Sequence, residues 1–460
     1  MRRLFLKIVI FSIMLLNAAE GMAQAKKQTA LSPAKPSAEL ALDYYLYLCR
    51  TVQSFHVQPT NASRLFAYTG LVLYETIIPQ FPEYHTMVGQ LTNLQDLPKP
   101  PQETWHAEVA AAGALNAFFR TMLQSEFQLS KDGYTQMILK RPLDTLQNKF
   151  ELKLRKAYPK EEEYKRSVAF GEEIAQAIYE YSKTDGGFRD SIESLQKDFS
   201  HYESPQGATW QDTLTKNYYS LQPTWGQNRT FVKMIDKIAT AAQPYPYSTD
   251  PKSKFYQEAL EVYEFCRNQN FEYKAIAEYW KDNAGASFTP PGHSICILTQ
   301  VLTDKKATLD FTAYAYCKLG IALSDAFVCC WKTKYETNQI RPETYIKQNI
   351  DPRFKPLFQT PPFPEYTSGH SVQSGAAAAV LTDLFGSEYA FTDHTLDLIP
   401  YNGSTVRYLV NRSFKNFNEF AQESSLSRMY AGIHFRQACE MGVLQGRVIG
   451  SEVNNLQWKN

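Results

Sequence analysis

Lys334 and Arg341 stand seven residues apart, with Pro342 directly after the arginine. Seven residues advance an ideal helix by close to two turns, so the two cations would share a face about 10 Å apart and converge through their long side chains. The proline would end that helix at Arg341. A second segment, Pro361-Pro362-Phe363-Pro364-Glu365-Tyr366-Thr367-Ser368-Gly369-His370, runs into Ser371 and an apolar stretch over 375–385. Its prolines halt any preceding element, Thr367 or Ser368 can cap, Gly369 allows close backbone approach, and His370 falls at a helix opening. Unpaired N–H groups there form a ready anion site, to which the serine hydroxyl adds a donor. The residues fit equally well a plain N-cap serine beside a surface histidine. In a third segment Arg428 and His434 are six apart, about 240° around a continuous helix, so one helix would not present both to one ligand. Gly432 between them resolves this if it separates two helices and leaves His434 at the start of the second. Each segment thus carries residues suited to an oxyanion.

In this order the segments resemble the signature of the vanadium-dependent haloperoxidases and the type-2 phosphatidic acid phosphatases (PAP2): Lys-x6-Arg-Pro, Pro-Ser-Gly-His and Ser-Arg-x5-His-x3-Asp. The resemblance implies an all-α helical bundle with the anion site between central helices. It assigns Lys334, Arg341 and Arg428 to the equatorial oxygens of a vanadate cofactor, or of a phosphate in the same site. Ser368 and the Gly369 N–H add hydrogen bonds, His434 gives the axial nitrogen that ligates the metal, and His370 is the acid/base on the opposite side. Several fixed cations are what a multiply charged oxyanion needs to be held out of water. Two departures stand out. Thr367 replaces the motif proline, and Ala438 replaces the closing aspartate, which at i+4 would hold the Nδ1–H of His434. His434 then needs another acceptor, such as a backbone carbonyl.

Other residues favour the haloperoxidase branch of the resemblance. Trp331 and Phe363 look like aromatic neighbours of the vanadate pocket, and Asp325 like an acidic residue that helps to fix it, or else a helix-surface carboxylate. Trp225-Gly226, Trp280-Lys281-Asp282-Asn283 and Pro290-Pro291-Gly292-His293 look like segments of bacterial haloperoxidase-like proteins. His293 could line the pocket or be a satisfied structural histidine. The expected activity is oxidation of halide by hydrogen peroxide at a His-bound vanadate. The alternative is a PAP2-type acid phosphatase acting on a small phosphoester through His434; a third reading, prompted by Ala438, is an inactive phosphate-binding relative.

These residues must be positioned by helices, because apolar residues recur at three and four from Ala38 onward and period-two runs are nearly absent. The spacing predicts helices over 38–54, 62–78, 103–124, 144–157, 161–182, 254–268, 271–281, 292–302, 308–333, 371–386, 411–430 and 434–456. Residues 185–253, with Gly186-Gly187, Pro223 and Pro244-Tyr245-Pro246, read as an extended connector. An N-terminal helical half over 37–300 would then precede a catalytic half over 301–460. Arg2, Arg3 and Lys7, an apolar run over 8–16 and Gly21-Met22-Ala23 read as a secretory signal peptide over 1–23, followed by a tether over 24–36. The expected location is periplasmic or secreted, with no membrane span after cleavage. The seven cysteines match no zinc pattern and read as buried thiols. With 48 Lys+Arg against 47 Asp+Glu, bulk electrostatics give no footprint for nucleic acid or an anionic membrane. No sequence feature sets an oligomeric state.

Overall fold

The computed structural model describes residues 36–125, 140–188, 209–210, 220–268, 270–399 and 410–460. The expected signal peptide over 1–23, all but the last residue of the expected tether, and much of the connector lie outside them. The helices of more than four residues are α1 (Glu39–Ser54), α2 (Pro59–Ile77), α3 (Ala107–Ser125), α4 (Arg141–Ala157), α5 (Glu161–Ser182), α6 (Lys254–Asn268) and α7 (Phe271–Tyr279). They continue with α8 (Thr289–Asp304), α9 (Leu309–Thr337), α10 (Pro342–Asn349), α11 (Gly369–Phe385), α12 (Phe417–Tyr430) and α13 (Arg436–Asn454). The fold is all-α apart, among the described residues, from one small antiparallel pair, β1 (Phe391–Asp393) with β2 (Arg412–Phe414), which places Asp393 opposite Arg412. Three-residue strands leave too little alternation to be read in the sequence, and the helix expected from 411 begins instead at Phe417.

Residues from Ser37 to Asn460 form one compact unit. The two halves read from the sequence are interleaved in it: α2 lies along α9, and the boundary near 300 falls inside α8. α9 is the central helix. It is long and apolar enough to cross a membrane, but its most apolar window is wholly buried in protein, as a helix that is apolar all round must be in a large core.

The long helices after residue 368 pack on one another, and α11 and α13 also on α9. α11 packs on α9, α12 and α13. Against α13 the backbones nearly touch: a Cβ on Gly446 would lie 2.0 Å from the Val372 carbonyl oxygen. Gly446→Val should therefore destabilise the fold by more than the usual overpacking cost of about 1–3 kcal/mol, because the obstacle is backbone; urea unfolding would measure it. Polar ties complete the junction. Thr367 Oγ1 donates to Gln445 Oε1 at 2.8 Å, Gln445 Nε2 donates to Thr333 Oγ1 at 3.0 Å, and the Ser368 N–H donates to the Ala438 carbonyl at 3.1 Å. The threonine that departs from the motif thus links α11 to α13 and, through Gln445, to α9.

Candidate active site

Five helix ends supply the site. α9 stops at Thr337 because Asn338 turns left-handed, with φ 45°, as a C-cap. Lys334 therefore sits in the last turn of α9, and Arg341 is the N-cap of α10, with Pro342 in its first turn. The single helix face expected for this pair is not formed; the chain turns between them, and the two cations converge across the turn. Ser368 caps α11 as expected, accepting from the Ser371 N–H at 3.4 Å. Gly432 has φ +80° and separates α12 from α13, so Arg428 ends one helix while His434 lies just before the Phe435 N-cap of the next.

Lys334 and Arg341 are fully buried and Arg428 nearly so. Their donors go first to backbone. Lys334 Nζ donates to the Pro364 and Glu365 carbonyls, both at 2.9 Å. Arg341 Nε donates to the Phe363 carbonyl at 2.9 Å and Nη1 to the Ile433 carbonyl at 2.8 Å. Arg428 Nη1 donates to the Trp280 carbonyl at 3.1 Å. Neutral carbonyls do not neutralise three charges, so burial pushes Lys334 down to about 7 and each arginine down to about 10. Phe363 lies 5.1 Å from the Lys334 ammonium and 5.0 Å from the Arg341 guanidinium, a cation–π arrangement. Trp331 packs on Phe363 at 5.0 Å and on Phe327 at 5.6 Å.

The partner of His434 is a carboxylate that the motif did not announce. Its Nδ1 is 2.8 Å from Glu365 Oε1, which also accepts the Phe435 N–H at 2.9 Å. Arg341 Nη1, a donor only, is 3.0 Å from His434 Nε2. The proton therefore belongs on Nδ1 and the lone pair on Nε2, facing the cations. Burial first, then the Arg341 and Lys334 charges, hold this imidazole well below its ordinary range, so it is neutral. Burial also pushes Glu365 up to about 7, against the pull of Arg341 and Lys334. The carboxylate expected at position 438 is thus supplied from the proline-rich segment before α11, not by a carbonyl. An acid among prolines, three residues before the Ser-Gly-His, was the available signal.

His370 opens α11 half-buried, with an enclosed Nε2 that has no partner. Burial and then the Arg428 charge push it well below its ordinary range, against the carbonyls of Trp280 and Lys281. Arg341 Nη2 and Arg428 Nε are likewise buried donors without partners. A methyl on Gly369 would reach only Trp331 and Phe327, at 3.6 and 3.8 Å, so no protein neighbour requires glycine there. Unsatisfied donors on two arginines, an imidazole lone pair engaged only by Arg341 Nη1, and room over Gly369 fit a small oxyanion such as vanadate or phosphate.

Not every singled-out residue joins this cluster. Asp325 is buried, but it accepts the N–H groups of Phe231 at 2.7 Å and Val232 at 2.9 Å, tying the connector to α9; burial pushes it up to about 7. His293 does not line the site but sits behind Trp280, stacked on its indole at 4.5 Å. A cleft of about 790 Å³ between residues 223–237 and the end of α9 shares only Trp331 with the anion site.

A family profile described as "VCPO second helical-bundle domain" matches residues 315–458. The solved structure of a bacterial vanadium-dependent iodoperoxidase is similar over 93% of this chain and 98% of its own, with 32% identity and a TM-score of 0.77. The chain belongs to the vanadium-dependent haloperoxidases. This haloperoxidase also shares its fold with holo and apo structures of a bacterial vanadium-dependent chloroperoxidase. These are 16% and 15% identical, cover 91% and 92% of this chain and 95% and 96% of theirs, and give TM-scores of 0.61 and 0.56. No curated protein sequence matches it significantly. As a member of the vanadium haloperoxidase family it is an oxidoreductase.

The lowered Lys334 has a measurable consequence. Above about pH 8 phosphate is a dianion and free Lys334 is largely neutral, so binding must recharge it. Phosphate affinity should fall as pH rises from about 8 to 9.5, with uptake of nearly one proton per site. Calorimetry in buffers of different ionisation enthalpy would count that proton.

Proposed function

We propose that this chain is a periplasmic or secreted haloperoxidase that uses hydrogen peroxide to oxidise halide, with vanadate held at His434. The observation that carries the reading is the Nε2 lone pair of His434, fixed by Glu365 on the far side of the ring and set among three buried cations. Vanadate, when bound, supplies the electrophilic centre at which peroxide becomes an oxidant for halide. Lys334, Arg341 and Arg428 would balance its charge, and Ser368 and the Gly369 N–H would orient it. His370, kept neutral by burial and Arg428, is suited to accept at Nε2 the proton that hydrogen peroxide gives up. Overall, halide, peroxide and one proton give hypohalous acid and water. The basic and apolar N-terminal residues and the small-residue cleavage pattern support the location.

Glu365 also gives the phosphatase reading a specific support. A carboxylate on Nδ1 raises the nucleophilicity of Nε2, the feature whose loss Ala438 had suggested. Assays of the purified protein separate the two activities. Oxidation of iodide or bromide by peroxide that requires added vanadate supports the haloperoxidase. Hydrolysis of an aryl phosphate, with no halide oxidised at any vanadate concentration, would reverse the assignment.

A further inference from the structure

The geometry assigns to a buried Asp282–His293–Asp393 clamp the positioning of Arg428 and His370, through the backbone of Trp280 and Lys281. His293 Nδ1 is 2.9 Å from Asp282 Oδ2, and Nε2 is 2.6 Å from Asp393 Oδ2, all three side chains being buried. Both ring nitrogens face carboxylates, so both carry protons and the ring is an imidazolium. Asp393 is anchored in turn by the Thr395 N–H at 2.9 Å, and its carbonyl accepts the Tyr279 hydroxyl at 3.2 Å. Asp282 Oδ1 accepts the Ser287 hydroxyl at 3.1 Å. The clamp therefore holds residue 282 by its side chain and residue 280 by stacking Trp280 on the imidazole, at 4.5 Å and 24°.

Between these fixed points run the carbonyls that the anion site uses. The Trp280 carbonyl takes Arg428 Nη1, and the carbonyls of Trp280 and Lys281 face His370. The Asp282 charge also favours the charged form of Arg428. With two carboxylates, one imidazolium and one guanidinium, the buried set is neutral as a whole, which is how four such groups can share one interior. An arginine held by one carbonyl is only as well placed as that carbonyl. His293 is thus a positioning residue: it touches no substrate and acts through residues 280–282.

The inference rests on the anion-site reading, so the test begins with inorganic phosphate binding to the wild-type protein by calorimetry. His293→Gln should weaken phosphate about tenfold, the range expected for residues that orient direct ligands. In an Arg428→Ala background the same substitution should change affinity less than about twofold, because its effect passes through Arg428. An unchanged affinity in His293→Gln, or the same factor in both backgrounds, overturns the clamp. If His293→Gln does not fold, Asp393→Asn, which keeps an acceptor without the charge, is compared in the two backgrounds by the same criterion. Adding Asp393→Asn to His293→Gln removes the one carboxylate charge left uncompensated and should recover part of the affinity; no recovery counts against the clamp. Absence of phosphate and vanadate binding in the wild type would instead sink the anion site itself.

Discussion

Replacing His370 with alanine should slow peroxide-dependent halide oxidation by about 10²–10⁴-fold, the usual contribution of a positioned acid/base. Phosphate affinity of the apo-protein should stay within a small factor of wild type. The asymmetry follows from geometry. His370 Nε2 is enclosed and has no partner, and burial with the Arg428 charge keeps the ring neutral, ready to take a proton but contributing no charge to anion binding. Steady-state rates at saturating vanadate, set beside calorimetric phosphate affinities, test both halves. Equal losses in rate and affinity would make His370 an anion ligand, and an unchanged rate would remove it from the chemistry.

The second large effect is expected at Glu365. Glutamine keeps the length and one oxygen but loses the charge that fixes the Nδ1–H tautomer of His434. Partners of a metal-ligating histidine typically contribute 10–100-fold in affinity, so Glu365→Gln should raise the vanadate concentration for half-activation by about that factor. The rate at saturating vanadate should fall less, since the direct contacts remain. Activation curves for the two proteins decide it; coincident curves would show that His434 needs no carboxylate.

The Glu365 pairing marks the boundary of what the sequence discloses. The helices were legible because apolar spacing repeats locally, and α5 and α6 span the same residues that the pattern indicates. The candidate anion-binding residues are legible because their types and spacing sit in three short segments. Ideal helix spacing puts Lys334 and Arg341 on one face, but the left-handed Asn338 ends α9 between them, and no local period signals that turn. Glu365 and His434 are 69 residues apart, and His293 and Asp393 are 100 apart. Such contacts depend on how helix ends meet, which no local period records. Asp325 shows the converse: in the sequence it reads as an acidic residue that helps to fix the pocket or as a helix-surface carboxylate, and only the packed connector reveals that it is buried and holds the N–H groups of Phe231 and Val232.

The central claim, an oxyanion site at His434 that works as a haloperoxidase with vanadate, is tested most directly by titrating the purified, phosphate-free protein with vanadate. Iodide oxidation is followed at fixed peroxide. Activity should rise from background and saturate at one vanadate per chain, phosphate should compete, and Arg428→Ala should shift the curve to higher vanadate before it lowers the plateau. Halide oxidation that ignores vanadate, or a protein that binds vanadate stoichiometrically and oxidises no halide, would contradict it.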